Sequence, residues 1–279
     1  MNKINILIVD GNDQKNSDTL RSVGIKTQFE EYNDVLNILA PLKLNIQVIH
    51  PAVKKDFLPS NINLDDFQGV AWTGSTLNIY DQTPPIIRQI ELAKLLLSKK
   101  NKIFGSCWGL QVLSTAVGGI VDKNTKGLEA VISKNIKLNN KGLSHQMYLN
   151  KPKIFDAFCW HYDEIKSLPS NSTILASNDH SFIQALTFKK DRSEFWGVQY
   201  HPEFSPKWMT GLMKLRKQVL LERKIYKSED ELNQMIQVLL DISKSKKISS
   251  EKKIKDSIIE RNIHYLELKN WLKYLENSF

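Results

Sequence analysis

Three side chains of this sequence can together carry out acyl transfer: the Cys107 thiol, the His201 imidazole and the Glu203 carboxylate. A thiol nucleophile needs a base that takes its proton, and the base needs an acceptor that fixes its tautomer. His201 and Glu203 are two residues apart at the end of the strand-like run Phe195–Gln199, and this spacing along a strand predicts that both side chains share one face. The intervening Pro202 ends strand pairing, which suits a sharp loop at a site.

Cys107 lies between two glycines in the string Gly105-Ser106-Cys107-Trp108-Gly109. The residues before this string predict the end of a strand, and Leu110–Val117 predict a helix. The same spacing forms the nucleophile elbow, a tight strand-to-helix turn that lifts one side chain above the sheet. Glycines are expected there because neighbouring backbone and Cβ atoms crowd the turn. A helix N-terminus beneath the sulfur is expected to favour the reactive thiolate.

An acyl-transfer site also needs N–H donors for the oxyanion. The backbone N–H of Trp108, directly after the nucleophile, is one candidate. The loop Thr73-Gly74-Ser75 follows another predicted strand, and we expect Gly74 to supply the second donor. Loss of one such donor typically costs roughly 100- to 1,000-fold in turnover.

The elements that carry these residues alternate between strands and helices. Strands are predicted at Ile4–Val9, Ile46–Ile49, Gly69–Trp72 and Ile103–Phe104, and helices at Leu36–Leu39 and from Pro84 to Leu97. Such alternation predicts a parallel sheet with helices on both faces. Ligand sites on these sheets lie at the carboxyl ends of strands, where Gly74 and Cys107 both fall.

The second half of the chain is predicted to contain short strands and then helices. Strand-like pieces occur at Ala130–Ile132, Ile136–Leu138, Thr173–Ala176, Phe182–Thr187 and Phe195–Gln199. Helical spacing follows from Trp208 to Val219, after the capping box Ser228–Glu231, and from Ile254 to Leu275, with a polar linker at Lys244–Glu251. We therefore expect an α/β domain at residues 1–204 and a helical C-terminal extension at 205–279, which packs on the core or docks a partner.

Composition limits the class of protein. The chain of 279 residues is 41% apolar and 25% charged, as in an ordinary globular protein. It has no apolar run of about 18 residues, so no membrane span is expected. Its two cysteines imply no disulfide framework and fit a reducing cytoplasm. Most of the net charge of +9 lies in residues 204–279. Because no aromatic RNA-binding signature accompanies these basic residues, they indicate a solvated helical surface and not a nucleic-acid site.

The motifs together resemble the class I glutamine amidotransferases, the triad enzymes that release ammonia from glutamine. The family's Gly-x-Cys-x-Gly-x-Gln pattern is matched from Gly105 to Gln111, and Gly197–Glu203 match its second motif nearly letter for letter. Thr73–Asp81 resembles the oxyanion loop, and Trp160–Glu164 resembles a further block. The chain departs from the common pattern at Leu110, where many relatives have histidine, and at Thr73, where another glycine or a serine is common.

This resemblance implies a flavodoxin-like α/β fold with a mostly parallel sheet flanked by helices. It makes Cys107 the nucleophile, His201 the base and later acid, Glu203 the orienting carboxylate and Gln111 a contact of bound glutamine. The thiolate would attack the γ-carboxamide carbon, His201 would protonate the departing ammonia, and water would release glutamate from a γ-glutamyl thioester. No metal or organic cofactor is expected, and no Cys and His spacing suggests zinc.

Three functions remain open. The first is a glutaminase subunit that supplies ammonia to a separate synthase, since too few residues follow Glu203 for an ATP-using synthetase. The second is a stand-alone hydrolase of γ-glutamyl amides or peptides, and the third is a non-catalytic binding or regulatory protein, against which the intact Cys107, His201 and Glu203 argue. A Cys-type α/β-hydrolase is disfavoured because its acid precedes the histidine. The sequence does not identify the ammonia acceptor or the synthase partner, and it does not fix the oligomeric state.

Overall fold

The computed structural model describes residues 3–245 and 254–277. Its strands are β1 (Ile4–Val9), β2 (Leu44–Ile49), β3 (Gly69–Trp72), β4 (Lys102–Ser106), β5 (Ile120–Lys123), β6 (Glu129–Leu138), β7 (Ile154–His161), β8 (Asp163–Ser167), β9 (Thr173–Ser177), β10 (Ala185–Lys190) and β11 (Ser193–Val198). Its helices are α1 (Gln14–Ser22), α2 (Gln28–Leu39), α3 (Pro84–Leu97), α4 (Trp108–Ala116), α5 (Asn140–Leu143), α6 (Pro206–Leu215), α7 (Lys217–Glu222), α8 (Glu229–Ser243), α9 (Asp256–Ile259), α10 (Arg261–His264) and α11 (Leu266–Glu276).

The central sheet has nine strands in the order β2-β1-β3-β4-β11-β10-β9-β6-β7. Neighbours from β2 to β11 are parallel, and those from β11 to β7 are antiparallel. In the parallel part, Val198 of β11 pairs with Ser106 of β4, so the segments that lead to His201 and Cys107 end side by side. The expected flavodoxin-like α/β fold is confirmed, with the parallel part of the sheet carrying the predicted site.

Side chains of β1 alternate between the two faces of the sheet. Ile4, Ile6 and Ile8 pack on the face covered by α2, whereas Leu7 and Val9 pack on the face covered by α3 and α4. This two-residue period is the one that a strand buried on both faces requires. Each such side chain contributes about 1.5–3 kcal/mol on burial, so helices on both faces hold the strand ends in place.

The last described helix, α11, belongs to the same core as β1 and α2. Trp271, Leu272 and Leu275 are buried there. Gly69 of β3 makes room for them, because a Cβ at that position would lie 2.5 Å from Leu275 Cδ1 and 2.9 Å from Trp271 Cζ2. The C-terminal helix α11 therefore packs on the core. The predicted boundary at residue 204, between an α/β domain and a C-terminal extension, stays a prediction.

Buried polar contacts join the C-terminal segment to the loop that contains His201. The Lys151 ammonium pairs with Glu267 of α11 at 2.8 Å, and the Tyr200 hydroxyl donates to the other oxygen of Glu267 at 2.7 Å. His264 Nε2 lies 2.8 Å from the Phe204 carbonyl oxygen, and burial lowers the pKa of His264 to about 4. The neutral imidazole can then donate this hydrogen bond.

Several predicted elements have different bounds in the structure. The pieces Ala130–Ile132 and Ile136–Leu138 form one strand, β6, with an irregularity in its pairing to β7 between Ser133 and Ile136. The strand predicted from Phe182 begins at Ala185. The expected helix from Trp208 to Val219 is two helices that meet at Arg216, and the one from Ile254 to Leu275 is three. Sequence patterning missed β5, β7 and β8.

The helix α8 begins at the predicted Ser228 cap, but one of the two hydrogen bonds of the capping box has a different partner. The Ser228 hydroxyl accepts from the Glu231 N–H as expected, but the Glu231 carboxylate accepts from the Lys227 N–H instead of the Ser228 N–H. Residues 246–251 of the predicted polar linker lie outside the described part of the chain. Within residues 3–245 and 254–277, no helix is long and apolar enough to cross a membrane.

Candidate active site

Cys107 occupies a strained turn between β4 and α4. Its φ of 51° and ψ of −98° are a conformation that non-glycine residues rarely adopt. The Cys107 N–H donates to the Val198 carbonyl at 2.7 Å, which ties the turn to β11. Side chains at the two glycines would clash, since a Cβ on Gly105 would lie 2.8 Å from the Gly109 carbonyl carbon and one on Gly109 would lie 2.8 Å from the Trp72 carbonyl oxygen. The predicted elbow geometry is present.

His201 and Glu203 lie in the turn that follows β11. Their shared position was expected from strand alternation, but β11 ends at Val198, so the turn and not a strand brings them together. His201 Nδ1 lies 2.7 Å from Glu203 Oε1, and both side chains are buried. The imidazole also stacks on Phe204, with ring centroids 3.8 Å apart and planes 6° apart. The carboxylate and the aromatic face together fix the orientation of the His201 ring.

A buried chain of hydroxyl groups supports the Glu203 carboxylate. The Ser106 hydroxyl donates to Glu203 Oε2 at 2.8 Å, and the Tyr32 hydroxyl, 2.5 Å away, donates to Ser106. Burial and the nearby Glu203 charge raise the pKa of Tyr32 well above its usual value, which keeps this hydroxyl protonated as a donor. Sequence reasoning missed both residues, because nothing local indicates a contact across 74 positions of the chain.

We expect Ser106→Ala to lower kcat about 10-fold with little change in KM, because a hydrogen bond to a charged acceptor contributes about 1.5–3 kcal/mol. The measurement is a pH profile of kcat, whose shape should change since the Glu203 carboxylate holds the proton-carrying imidazole. Tyr32→Phe removes only the outer donor and should have a smaller effect of the same kind. An unchanged kcat and pH profile in Ser106→Ala would contradict a positioning role for Ser106.

The Cys107 sulfur is buried and has few polar neighbours. It lies 3.8 Å from the Trp160 carbonyl oxygen. Burial raises the pKa of the Cys107 thiol, the negative charges of Glu203 and Asp163 raise it further, and the Trp108 N–H and the Gln199 side chain only partly oppose them. The N–H of Trp108 at the start of α4 acts in the expected direction, but burial and the two carboxylates outweigh it. A neutral thiol needs a base at the moment of attack, and His201 borders the same cavity.

The Gly74 loop lies directly against His201. A Cβ on Gly74 would be 2.6 Å from His201 Cε1, so any larger residue would displace the imidazole. The Thr73 hydroxyl accepts from the Gly11 N–H at 2.8 Å and donates to the Gly74 carbonyl at 3.0 Å, which fixes the loop. The Trp108 N–H donates a hydrogen bond to the Cys107 sulfur. Both predicted oxyanion donors thus border the site, and their role remains a proposal.

The cavity of about 230 Å³ at these residues has two differently lined ends. The first, here called the Gln111 end, includes Gln111 and Asp163. Gln111 Nε2 donates to the Asp163 carbonyl at 3.4 Å. The Asp163 carboxylate accepts from the Tyr80 hydroxyl at 3.3 Å, and burial raises the pKa of this carboxyl. A buried carboxylate with one long hydrogen bond is a suitable partner for a cationic group.

A second group of lining residues, here called the α6 end, includes Phe204 and Trp208. The Phe204 ring stacks on His201 on one face and on Trp208 on the other, with ring centroids 3.8 Å apart in each pair. Its wall includes the buried polar residues Asn12 and Gln28, the charged Arg216, and the apolar side chains Leu20, Trp208, Leu212, Leu215 and Val219. The α6 end can therefore take a group with a large apolar part.

His161, next to the Gln111 end, is engaged in a structural network. Its Nε2 lies 2.8 Å from the Glu129 carboxylate and its Nδ1 lies 3.1 Å from the Asp163 carbonyl. Burial acts to raise the pKa of Glu129, but hydrogen bonds from His161, Asn178 and Ser133 lower it to about 2. Across the described residues, no group of three or more His, Cys, Asp and Glu side chains is arranged to hold a metal ion.

Comparison with known proteins identifies similar sequences and folds. The sequence model of the family described as "Glutamine amidotransferase class-I" matches residues 21–217. The chain is 30% identical over 284 residues to the "Gamma-glutamyl-L-1-hydroxyisopropylamide hydrolase" of a Pseudomonas species, which covers 99% of this chain and 94% of that protein. It is 31% identical over 122 residues to one subunit of the glutamine-hydrolyzing GMP synthase of Methanococcus vannielii, covering 44% and 61% of the two chains.

A plant protein and a bacterial crystal structure are also similar to this chain. "Gamma-glutamyl peptidase 5" of Arabidopsis thaliana is 27% identical over 149 residues, which is 53% of this chain and 58% of that protein. The crystal structure of a glutamine amidotransferase from Thermotoga maritima matches with a TM-score of 0.66 at 16% identity, covering 99% of each chain. This structural match supports the fold.

Proposed function

The chain belongs to the class I glutamine amidotransferase family, and from this premise we propose that it hydrolyses the γ-amide bond of γ-glutamyl compounds whose amine is larger than ammonia. The single observation that carries this choice is the α6 end of the cavity, where Leu20, Trp208, Leu212, Leu215 and Val219 offer an apolar surface larger than ammonia needs. In this proposal Cys107 is the nucleophile, His201 is the base and later the acid, and Glu203 holds the His201 ring.

The proposed reaction has two halves. The Cys107 sulfur bonds to the γ-carbonyl carbon while its proton passes to His201, and the N–H groups of Trp108 and Gly74 stabilise the oxyanion. His201 then gives this proton to the amine nitrogen as the C–N bond breaks, which leaves a γ-glutamyl thioester. Water attacks the thioester, its proton passes to His201, and the C–S bond breaks to release glutamate and restore the thiol.

The polar Gln111 end suits the γ-glutamyl group. A γ-glutamyl compound carries an α-ammonium and an α-carboxylate, and the buried Asp163 carboxylate can pair with the ammonium. Gln111 can donate to the substrate in place of its long contacts with Asp163 and Gln199. This orientation directs the leaving amine toward His201, because that ring must protonate the amine nitrogen.

The relatives support the stand-alone hydrolase over a synthase component. A relative that covers nearly the whole chain is by name a hydrolase of γ-glutamyl-L-1-hydroxyisopropylamide, and we extend the class of γ-glutamyl amides to this chain. A second candidate is the glutaminase that supplies a separate synthase, favoured by the 31% identity to the Methanococcus GMP synthase protein over less than half of this chain. For that function the α6 end would be an exit for ammonia.

A series of substrates separates these candidates. We expect kcat/KM of the isolated protein to rise by about 10- to 50-fold from glutamine to γ-glutamylpropylamide, because each buried CH₂ group contributes about 0.8 kcal/mol. Release of glutamate from each compound measures the rate, and the isomeric α-glutamyl amide serves as a control that should not be cleaved. Glutamine as the best substrate, with slower cleavage of every alkylamide, would instead support the glutaminase that supplies ammonia.

A further inference from the structure

Gln28 contributes a buried oxygen atom without a hydrogen-bond partner to the cavity wall. It is the first residue of α2, is 9% exposed and lines the same cavity as His201. Among the described residues, no group donates a hydrogen bond to Gln28 Oε1. Buried acceptors of this kind are uncommon in folded proteins, and one that borders a cavity can accept from a donor on a ligand.

The backbone that carries Gln28 is held by contacts on both sides. A capping box joins Thr27 to Glu30 at the start of α2, with the Thr27 N–H donating to the Glu30 carboxylate at 2.7 Å. The Trp208 indole N–H donates to the Lys26 carbonyl at 2.8 Å, which ties the same turn to α6. These contacts fix the place of Gln28 in the cavity wall without using its side-chain oxygen.

The Gln28 oxygen lies close to the His201 imidazole. The point that a Cβ on Gly74 would occupy is 3.0 Å from Gln28 Oε1 and 2.6 Å from His201 Cε1, so these two atoms are separated by no more than the sum of the two distances. Cε1 is bonded to Nε2, the ring nitrogen that remains for the reaction because Nδ1 pairs with Glu203 at 2.7 Å. One atom that makes a hydrogen bond of about 2.9 Å to each group can span such a separation.

The nitrogen atom of the scissile amide requires an acceptor at this place. After the Cys107 sulfur has bonded to the carbonyl carbon, the nitrogen carries an N–H and a lone pair. His201 can protonate the nitrogen only if the lone pair faces Nε2, so the N–H must point elsewhere. In a buried site, an N–H without an acceptor raises the free energy of the transition state. Gln28 Oε1 is such an acceptor, whereas the backbone groups proposed for the oxyanion are donors.

We propose that Gln28 is a further catalytic residue, whose Oε1 accepts the N–H of the scissile amide and so turns the nitrogen lone pair toward His201. This inference rests on the proposed hydrolysis by Cys107 and His201. Gln28 exchanges no proton, because the hydrogen stays on nitrogen while His201 supplies the second proton as the C–N bond breaks. The same contact serves glutamine and its alkylamides, since both carry an N–H on the scissile nitrogen.

The test compares γ-glutamylpropylamide with the γ-propyl ester of glutamate, which differ only in N–H against O at the scissile position. Gln28→Met keeps the length of the side chain and removes its acceptor. We expect this variant to lower kcat/KM for the amide by about 10- to 100-fold, because the N–H loses its partner. For the ester, kcat/KM should stay within about 3-fold of the wild type, since this parameter reports the acylation half of the reaction. Gln28→Ala should show the same selective loss.

Asn16→Ala is the matched control. Asn16 borders the same cavity, but its side-chain amide already donates to Asp13 Oδ1 at 2.7 Å, so this variant should cleave the amide and the ester in the wild-type ratio. The ester is also the control for folding, because a Gln28 variant that cleaves it at the wild-type rate has an intact Cys107 and His201.

The outcomes separate this inference from the proposed function. A Gln28→Met variant that cleaves both substrates at wild-type rates, or that slows both alike, would overturn the hydrogen bond to the scissile N–H and leave hydrolysis by Cys107 standing. A wild-type protein that cleaves neither the propylamide, nor the ester, nor glutamine would remove the proposed function and this inference with it.

Discussion

Replacing Cys107 with alanine is expected to abolish hydrolysis of every γ-glutamyl compound that the wild-type protein cleaves. The loss should be roughly 10,000-fold or more, because the variant has no atom that can form the thioester. The reaction is measured by glutamate release, and mass spectrometry of the acid-quenched wild-type protein should show a glutamyl group on Cys107. Full residual turnover in Cys107→Ala would contradict the assignment of the nucleophile.

Cys159→Ala is the matched control for this prediction. Cys159 is the second cysteine of the chain and is also buried, but it packs in the hydrophobic core and does not border the cavity. Its replacement should cost some stability through the small void that it leaves, with activity within a few-fold of the wild type. A loss of activity as large as that of Cys107→Ala would mean that packing around β7, and not thiol chemistry, governs the assay.

The strain at Cys107 adds a stability readout. With φ at 51°, the residue occupies a conformation that costs about 1–2 kcal/mol for a residue with a Cβ atom. Cys107→Gly should therefore be inactive and yet at least as stable to urea as Cys107→Ala. This combination distinguishes the loss of a reacting group from a collapse of the turn.

Deletion of residues 250–279 is expected to prevent the chain from forming a stable fold. The deletion removes α11 from the sheet face, where Trp271 and Leu275 are fully buried, and leaves the Lys151 ammonium buried without Glu267. Loss of one large core side chain costs about 3–5 kcal/mol, and an unpaired buried charge costs a similar amount, whereas whole domains are stable by only about 5–15 kcal/mol. Urea unfolding and the yield of folded protein measure the effect.

Single substitutions on α11 also test the contribution of this helix to stability. Trp271→Ala should lower the free energy of unfolding by about 3–5 kcal/mol. Lys273→Ala, which changes an exposed residue of the same helix, should stay within about 0.5 kcal/mol of the wild type. A deletion variant with unchanged stability and activity would contradict the packing of α11 as part of the core.

The parallel part of the sheet was predictable from the sequence because its strands are rich in apolar residues. Strand β3 is a continuous apolar run and β1 is apolar apart from Asn5, because both faces of a parallel sheet are covered by helices. The elbow was predictable as well, since close approach of Gly105 and Gly109 to other backbone leaves no room for side chains. Strand β7 was missed because Asp156 interrupts its apolar pattern.

Features of the site that depend on distant residues were not predictable. The pKa of Cys107 is governed by burial and by Glu203 and Asp163, none of which the local helix start indicates. Asn12 and Gln28 carry no motif, and only the folded chain shows that the Asn12 amide and Gln28 Oε1 have no hydrogen-bond partner among the described residues. Helical spacing correctly indicated an amphipathic segment around Trp271, but only the fold determines which sheet face it covers.

The position of β11 in the sheet has a consequence for the synthesis of this protein. Strand β11 lies between β4 and β10, so the edge of β4 stays unpaired until the ribosome has released residues 193–198. An open edge of that kind pairs readily with other chains. The same strand leads to His201, which lines one cavity with Cys107, so a nascent chain interrupted earlier has neither a closed sheet nor this imidazole at the cavity. Pairing of β11 thus closes this part of the sheet and brings the three side chains together, so a fragment that ends before β11 lacks the assembled site and is prone to aggregate.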